Sequence, residues 1–295
     1  MKVTFLGPLG TTFSHQAYEQ FRKSFTDLPE VTEENYVQSP ENNQTLELVM
    51  SHGGYGVIPV ETLARGGIWA SINPFIKLLG NYDSKRQPPF DVLGSVSVLI
   101  KLCVMARRGP GELKLDDIKC VYAHPEALAV CSRNLAELKG CPRIVPMESN
   151  GLAAQQVSIS HRSECAVAIG PISAAGKFSL TTIVHGFEDD PALTTFVLVG
   201  PHKDPKMIGR SNRMMFAFRL KNQPGSLATV LSVFVELEIN ICQMHSMYVD
   251  EGCHHFFVEI EMSLHQRPRS SLIKDKLEGC TEKYLAFGPY EIRYW

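Results

Sequence analysis

The sequence predicts an α/β chain in two lobes over residues 1–200, a linker at 201–212 and a compact ferredoxin-like βαββαβ module over 213–295. Three observations carry this. Short apolar runs (Val3-Thr-Phe-Leu, Tyr55-Gly-Val-Ile-Pro, Ile118-Lys-Cys-Val-Tyr-Ala, Ala166-Val-Ala-Ile-Gly170) alternate with helically spaced segments, the pattern of parallel sheet covered by helices. Pro201 to Asn212 then interrupts the pattern with prolines, Gly209 and basic residues. Beyond it the order becomes strand (from Met214), a Gln223-Pro224-Gly225-Ser226-Leu227 turn, helix, strand (from Asn240), strand (from His254), helix (from Ser270) and a last strand near Glu291.

Composition narrows the function classes. With 295 residues, two domains and a substantial core are expected. A formal net charge of -2 gives no polyanion-binding signature, so no nucleic-acid partner is expected. The opening Met1-Lys-Val-Thr-Phe-Leu-Gly-Pro breaks too soon for a signal-peptide core, and no apolar run is long enough to span a membrane. Eight scattered cysteines, with no C-x-x-C and no zinc-like spacing, read as thiols in a reducing, cytoplasmic compartment.

Candidate site residues sit at strand ends. After the first strand, Gly7-Pro8-Leu9-Gly10-Thr11-Thr12-Phe13-Ser14 turns into a helix. Thr11, Thr12 or Ser14 can cap that helix, or present hydroxyls to an anion at its positive end. It is neither a Walker loop nor a dinucleotide fingerprint. Val60-Glu61-Thr62-Leu63-Ala64-Arg65 closes the second strand. Glu61 suits a general acid or base and Arg65 a bidentate carboxylate clamp, with a solvated salt bridge as the alternative. Asp91 to Met105 reads as one or two strands opening the second lobe, which spans about 91–179, residues 180–200 returning to the first. His124, before Pro125, reads as a helix cap rather than a catalyst. Thr194 and Thr195 enter the apolar strand Phe196-Val-Leu-Val, where hydroxyls face a ligand or satisfy nearby backbone. Ligand is expected between the lobes.

Taken in order, these pieces resemble one family over nearly the whole chain. Gly7-Pro8-Leu9-Gly10-Thr11 with Phe13-Ser14, Tyr55-Gly-Val-Ile-Pro-Val-Glu61, Tyr122-Ala-His124-Pro125-Glu126-Ala127-Leu128, Ser149 with Ala153-Ala154, and Asp189 with Thr194-Thr195-Phe196 are similar to prephenate dehydratases. Pro224-Gly225-Ser226-Leu227 and Ile239-Asn240-Ile241 resemble their carboxyl-terminal ACT domain. The resemblance implies a catalytic domain like type II periplasmic binding proteins, assembled as a homodimer or homotetramer. Prephenate, a dicarboxylate, would lose carbon dioxide and its ring hydroxyl to give phenylpyruvate, with no cofactor and no metal. It puts Thr194 and Glu61 in catalysis. Thr11, Thr12, Ser14, Thr62, Arg65, Ser149, Thr195 and Phe196 fall at the substrate. An amino-acid effector would meet Pro224, Gly225, Leu227, Asn240 and Ser246.

Several positions depart from the family pattern. Thr195 replaces an arginine, Thr62-Leu63 replaces Asn-Ser, and Ala192 replaces an asparagine, all at the expected cleft. Losing a charge-assisted hydrogen bond of roughly 1.5–3 kcal/mol would weaken transition-state binding about tenfold or more, with Arg65 or Lys177 as replacement clamps. These changes raise two alternatives: a decarboxylase that keeps the ring hydroxyl and does not aromatise, and a non-catalytic ligand-binding paralogue. In the ACT part, His245-Ser246-Met247-Tyr248 replaces the family's Glu-Ser-Arg-Pro, which puts inhibition by phenylalanine in question.

Overall fold

A computed structural model describes residues 1–63, 66–107, 113–202, 212–250, 253–262 and 270–294. The first lobe opens with β1 (Val3–Leu6), α1 (Phe13–Ser24), β2 (Tyr36–Ser39), α2 (Thr45–His52), β3 (Tyr55–Thr62), the short β4 (Gly66–Gly67), α3 (Trp69–Lys77) and β5 (Asp91–Ile100). The chain then crosses into a second lobe holding β6 (Cys103–Arg107), β7 (Cys120–Ala123), α4 (Pro125–Val130), α5 (Ser132–Ala136), β8 (Arg143–Pro146), α6 (Asn150–Ile159), β9 (Ala166–Gly170), α7 (Ile172–Lys177) and β10 (Leu180–His185). It returns through β11 (Ala192–Gly200). The carboxyl-terminal module follows as β12 (Arg213–Arg219), α8 (Ser226–Glu236), β13 (Asn240–Asp250), β14 (Cys253–Glu261), α9 (Ser270–Cys280) and β15 (Lys283–Tyr290), with β16 (Ile292–Tyr294) last.

The sheets place the lobe boundary differently from the sequence. The first sheet runs β16-β5-β11-β3-β1-β2 with β4 on β3, and the second runs β10-β6-β9-β7-β8. All of β5 therefore belongs to the first lobe and β10 to the second, so the crossings fall near 101–102 and 186–191 rather than at 91 and 180. The reason is pairing: β11 lies antiparallel between β3 and β5, a neighbour relation that periodicity cannot reveal. Neither sheet is purely parallel as the alternation suggested. The two crossings are tied together, because Leu102 N donates to Glu188 Oε2 at 2.8 Å and Phe187 N to Leu102 O at 2.8 Å.

The module is the expected βαββαβ, with sheet order β13-β14-β12-β15. Its helices cover one face around Phe216, Phe218, Val230, Phe234 and Ile273. The other face joins the first lobe: Met215, Ala217, Phe257, Leu285, Phe287 and Tyr290 share one core with Ile58, Ile72, Phe75, Ile76 and Val197. The last strand expected near Glu291 is two strands. β15 closes the module, while β16 crosses over to pair parallel with β5, Ile292 opposite Ser95. Residues 203–211 of the expected linker lie outside the described residues.

Candidate active site

A cavity of about 500 Å³ lies between the lobes. From the first lobe come Leu6, Thr12, Phe13, Ser14, Pro59, Thr62, Ile68 and Ser71, with Thr194 and Phe196 from β11; the second lobe supplies His124 to Ala127 and Pro146 to Glu148 with Asn150. The lobes also touch beside it. Any side chain at Gly151 would collide with Thr11 and Pro8, and Lys177 Nζ donates to Leu9 O at 2.7 Å. Lys177, one expected clamp, is thus spent on lobe contact.

The amino-terminal loop brings only part of its predicted set to the cavity. Thr12 caps α1 by accepting from His15 N at 3.4 Å and donates to Leu6 O at 2.8 Å, so its hydroxyl is engaged within the fold. Ser14, 3% exposed, lines the cavity on the first turn of α1, where unpaired amides and the helix dipole favour an anion. Thr11 does not line it. Its hydroxyl donates to Pro8 O at 2.7 Å beneath α6. Ser149 is also structural, capping α6 by accepting from Leu152 N at 3.1 Å.

A β-bulge decides which residues of β3 face the cleft. Thr195 pairs with Glu61 but Phe196 pairs with Pro59, so Val60 is the extra residue and side-chain alternation reverses across it. Pro59 and Thr62 consequently share the cavity face. Glu61 turns to the opposite face, where it acts electrostatically on Glu259 and Cys242 of the module. Glu61, expected in catalysis, thus does not line the cavity. β11 alternates without interruption there, placing Thr194 and Phe196 in the cavity and Thr195 behind it, its hydroxyl 2.9 Å from that of Ser97. Thr195 does not meet the substrate directly, and a longer side chain leaving that backbone would start away from the cavity. Arg65 lies outside the described residues.

Unspent polar atoms mark the first-lobe wall. Thr62 Oγ1, Ser71 Oγ, Asn42 Oδ1 and Asn43 Oδ1 are buried without a partner, and their residues all line the cavity. Buried polar groups are normally paired, so this array suits a polar ligand. The cavity's ionisable rim is acidic, formed by Glu41, Glu126 and Glu148; among the described residues no lysine or arginine lines it. Sequence reasoning underweighted His124, which stands on the second-lobe wall. The signal was available: its place between strand β7 and Pro125 is a ligand-facing strand end as well as a cap. Ser71, Asn42 and Asn43 carried no motif, and only the packing of α3 against the turn before α2 brings them together.

The effector-site candidates do not line this cavity. Gly225 takes a left-handed φ of 86° at the start of α8, while Asn240 and Ser246 lie on β13, the module's edge strand. Among the described residues no cluster of three or more His, Cys, Asp or Glu is placed to hold a metal ion. The cysteines at 103, 120, 131, 141, 165, 242 and 280 form no disulfide, and no described helix is long and apolar enough to cross a membrane.

Two α/β lobes, joined by paired crossings and enclosing a polar-walled cleft, define a two-lobed α/β protein with a ligand-sized cavity, here with a ferredoxin-like module docked on one lobe. Residues 3–204 match the prephenate dehydratase family, and the chain belongs to it. Over 295 residues it is 25% identical to the bifunctional chorismate mutase/prephenate dehydratase of Aquifex aeolicus, covering 98% of this chain and 73% of that one. Arogenate dehydratase/prephenate dehydratase 1 of Arabidopsis thaliana is 30% identical over 194 residues, 64% of this chain and 45% of the plant protein. The chain thus spans less than half the length of the plant relatives it matches. The structure of Arthrobacter aurescens prephenate dehydratase in complex with L-Phe superimposes with a TM-score of 0.74 at 22% identity, covering 99% of this chain and 90% of that one.

Proposed function

We propose that this protein is a lyase that converts prephenate to phenylpyruvate, releasing carbon dioxide and water, in aromatic amino-acid biosynthesis. The observation that carries the reading is Thr194, which lines the inter-lobe cavity in a chain of this family. Decarboxylation sends the carbon–carbon bonding pair into the ring as the ring hydroxyl departs. Aromatisation drives the change, so the protein's task is to place the carboxylates and stabilise the leaving oxygen. A threonine hydroxyl is too weak an acid to surrender a proton freely, and Thr194 therefore acts as a hydrogen-bond donor to that oxygen. The first turn of α1 at Ser14 receives one carboxylate, Thr62 and Ser71 offer hydroxyls to the substrate, Phe196 packs against its ring, and Arg65 is the clamp proposed for the second carboxylate.

The alternative of decarboxylation with retention of the hydroxyl rested on Thr195, Leu63 and Ala192. Thr195 is bonded to Ser97 behind the cavity, and Leu63 is 72% exposed and outside its lining, which leaves Ala192 of these three in the cleft, with Thr62 the other departure there and still offering a polar hydroxyl. The dehydratase reading is accordingly favoured. An amino-acid effector at Pro224, Gly225, Leu227, Asn240 and Ser246 of an ACT domain, a homodimeric or homotetrameric assembly and a cytoplasmic setting complete the proposal.

Freshly prepared prephenate incubated with the purified protein tests the reading, products being identified by mass spectrometry and proton NMR. Phenylpyruvate above the spontaneous background is expected. A product that has lost carbon dioxide but kept the hydroxyl, or unchanged prephenate, overturns it.

A further inference from the structure

His124 lines the cavity from the lobe opposite Thr194, and its imidazole is fixed by a backbone contact. It occupies the N-cap of α4 with extended φ and ψ of -65° and 145°, and its Nδ1 accepts from Glu126 N at 3.2 Å. A neutral imidazole that accepts at Nδ1 carries its hydrogen on Nε2. The residue is held from a second element as well, because His124 N donates to Asn150 Oδ1, on the first turn of α6, at 2.9 Å. A ring so placed has one polar atom engaged by the fold and one N–H left to donate.

We propose that His124 is a catalytic residue of the dehydration: its Nε2–H donates a hydrogen bond to the ring hydroxyl as it departs, from the wall facing Thr194. This role rests on the dehydratase reading. In the step, the carbon–carbon bond to the departing carboxylate breaks and its pair enters the ring. The carbon–oxygen bond breaks with its pair going to oxygen, and a proton from solvent water completes the water product. His124 keeps its proton throughout. A fixed neutral donor aimed at developing negative charge acts without reorganising during the reaction, which is how oxyanion-hole donors accelerate reactions. Burial supports the assignment by lowering the histidine's pKa, against a smaller opposing effect of Glu126, so the ring is uncharged at neutral pH.

Two substitutions separate this role from simple capping. His124→Asn keeps an acceptor for Glu126 N, a good N-cap, but removes the proposed Nε2–H donor. His124→Gln restores an amide N–H near the position of Nε2 while weakening the cap. The expected result is a His124→Asn protein with a melting temperature within about 3 °C of wild type, kcat for prephenate lowered about 10²-fold and KM little changed. His124→Gln should recover at least about a tenth of wild-type kcat despite a lower melting temperature. Wild-type kcat in folded His124→Asn overturns the proposal, as do equal kcat losses in both variants. A wild-type protein that leaves prephenate unchanged defeats the dehydratase reading itself and this role with it, an outcome read before any variant is made.

Discussion

The Trp69 indole and the His245 imidazole stack with ring centroids 4.3 Å apart and planes 9° from parallel. His245 also reaches Asn73 Oδ1 through Nε2 at 3.2 Å. Trp69 and Asn73 belong to α3, which also presents Ala70 and Ser71 to the cavity, so one helix touches both the module and the cleft. His245 opens the segment that replaces the family's Glu-Ser-Arg-Pro, and in this chain it serves docking between module and lobe. Trp69→Ala removes the stack from a partly buried site and should cost about 2–4 kcal/mol, seen as a lower urea midpoint. An unchanged midpoint would show that the stack carries no docking energy.

The bulge at Val60 sorts Glu61 from Thr62. Glu61→Gln should leave kcat/KM for prephenate within about threefold of wild type, since the carboxylate faces the module. Thr62→Val should lower it about tenfold, the loss of one neutral hydrogen bond to bound substrate. The reverse order would mean that Glu61 reaches the cleft during turnover.

Thr194 lines the first-lobe wall and is the proposed donor there. Thr194→Val preserves shape and strand propensity while removing the hydroxyl, and kcat should fall about 10²- to 10³-fold with the melting temperature nearly unchanged. Steady-state kinetics with circular dichroism melting check both halves. Retained activity would move the leaving-group contact elsewhere.

Glu259 stands at the seam between module and first lobe, 4% exposed, accepting a hydrogen bond from the fully buried Tyr290 hydroxyl. Burial raises its pKa above the usual 4.5, although the Tyr290 bond and the Arg213 guanidinium 3.8 Å away oppose that shift. A folded value above the unfolded one means that its contribution to stability is complete below about pH 4.5 and is lost as pH rises through the folded value. Glu259→Gln keeps an acceptor for Tyr290 and removes the titration. Its stability relative to wild type should therefore rise between pH 5 and pH 8, by denaturation at both. A constant difference would contradict the upward shift.

Much of the architecture was legible because it follows from local rules. Apolar runs of strand length, a Pro-Gly turn before Ser226 and the strand, turn and helix at Val3 to Phe25 announce their elements through backbone preference and burial alone. The site was legible in part. Ser14, Thr62, Thr194 and Phe196 line the cavity, whereas Thr11 and Ser149 hold the fold and Glu61 and Thr195 face away from it.

Residue type and order, which the chain carries in itself, determined the α/β alternation, the βαββαβ module, the family and the presence of a threonine at the cleft strand. Tertiary structure alone decided which face each candidate occupies. One inserted residue at Val60 reverses every side chain after it, and that insertion exists only relative to the register of β11. The lobe boundary, the crossing of β16 to β5, the docking of Trp69 on His245 and the meeting of His124 with Thr194 across one cavity have the same origin. Each is a relation between segments distant in sequence, set by pairing and packing that no local pattern encodes.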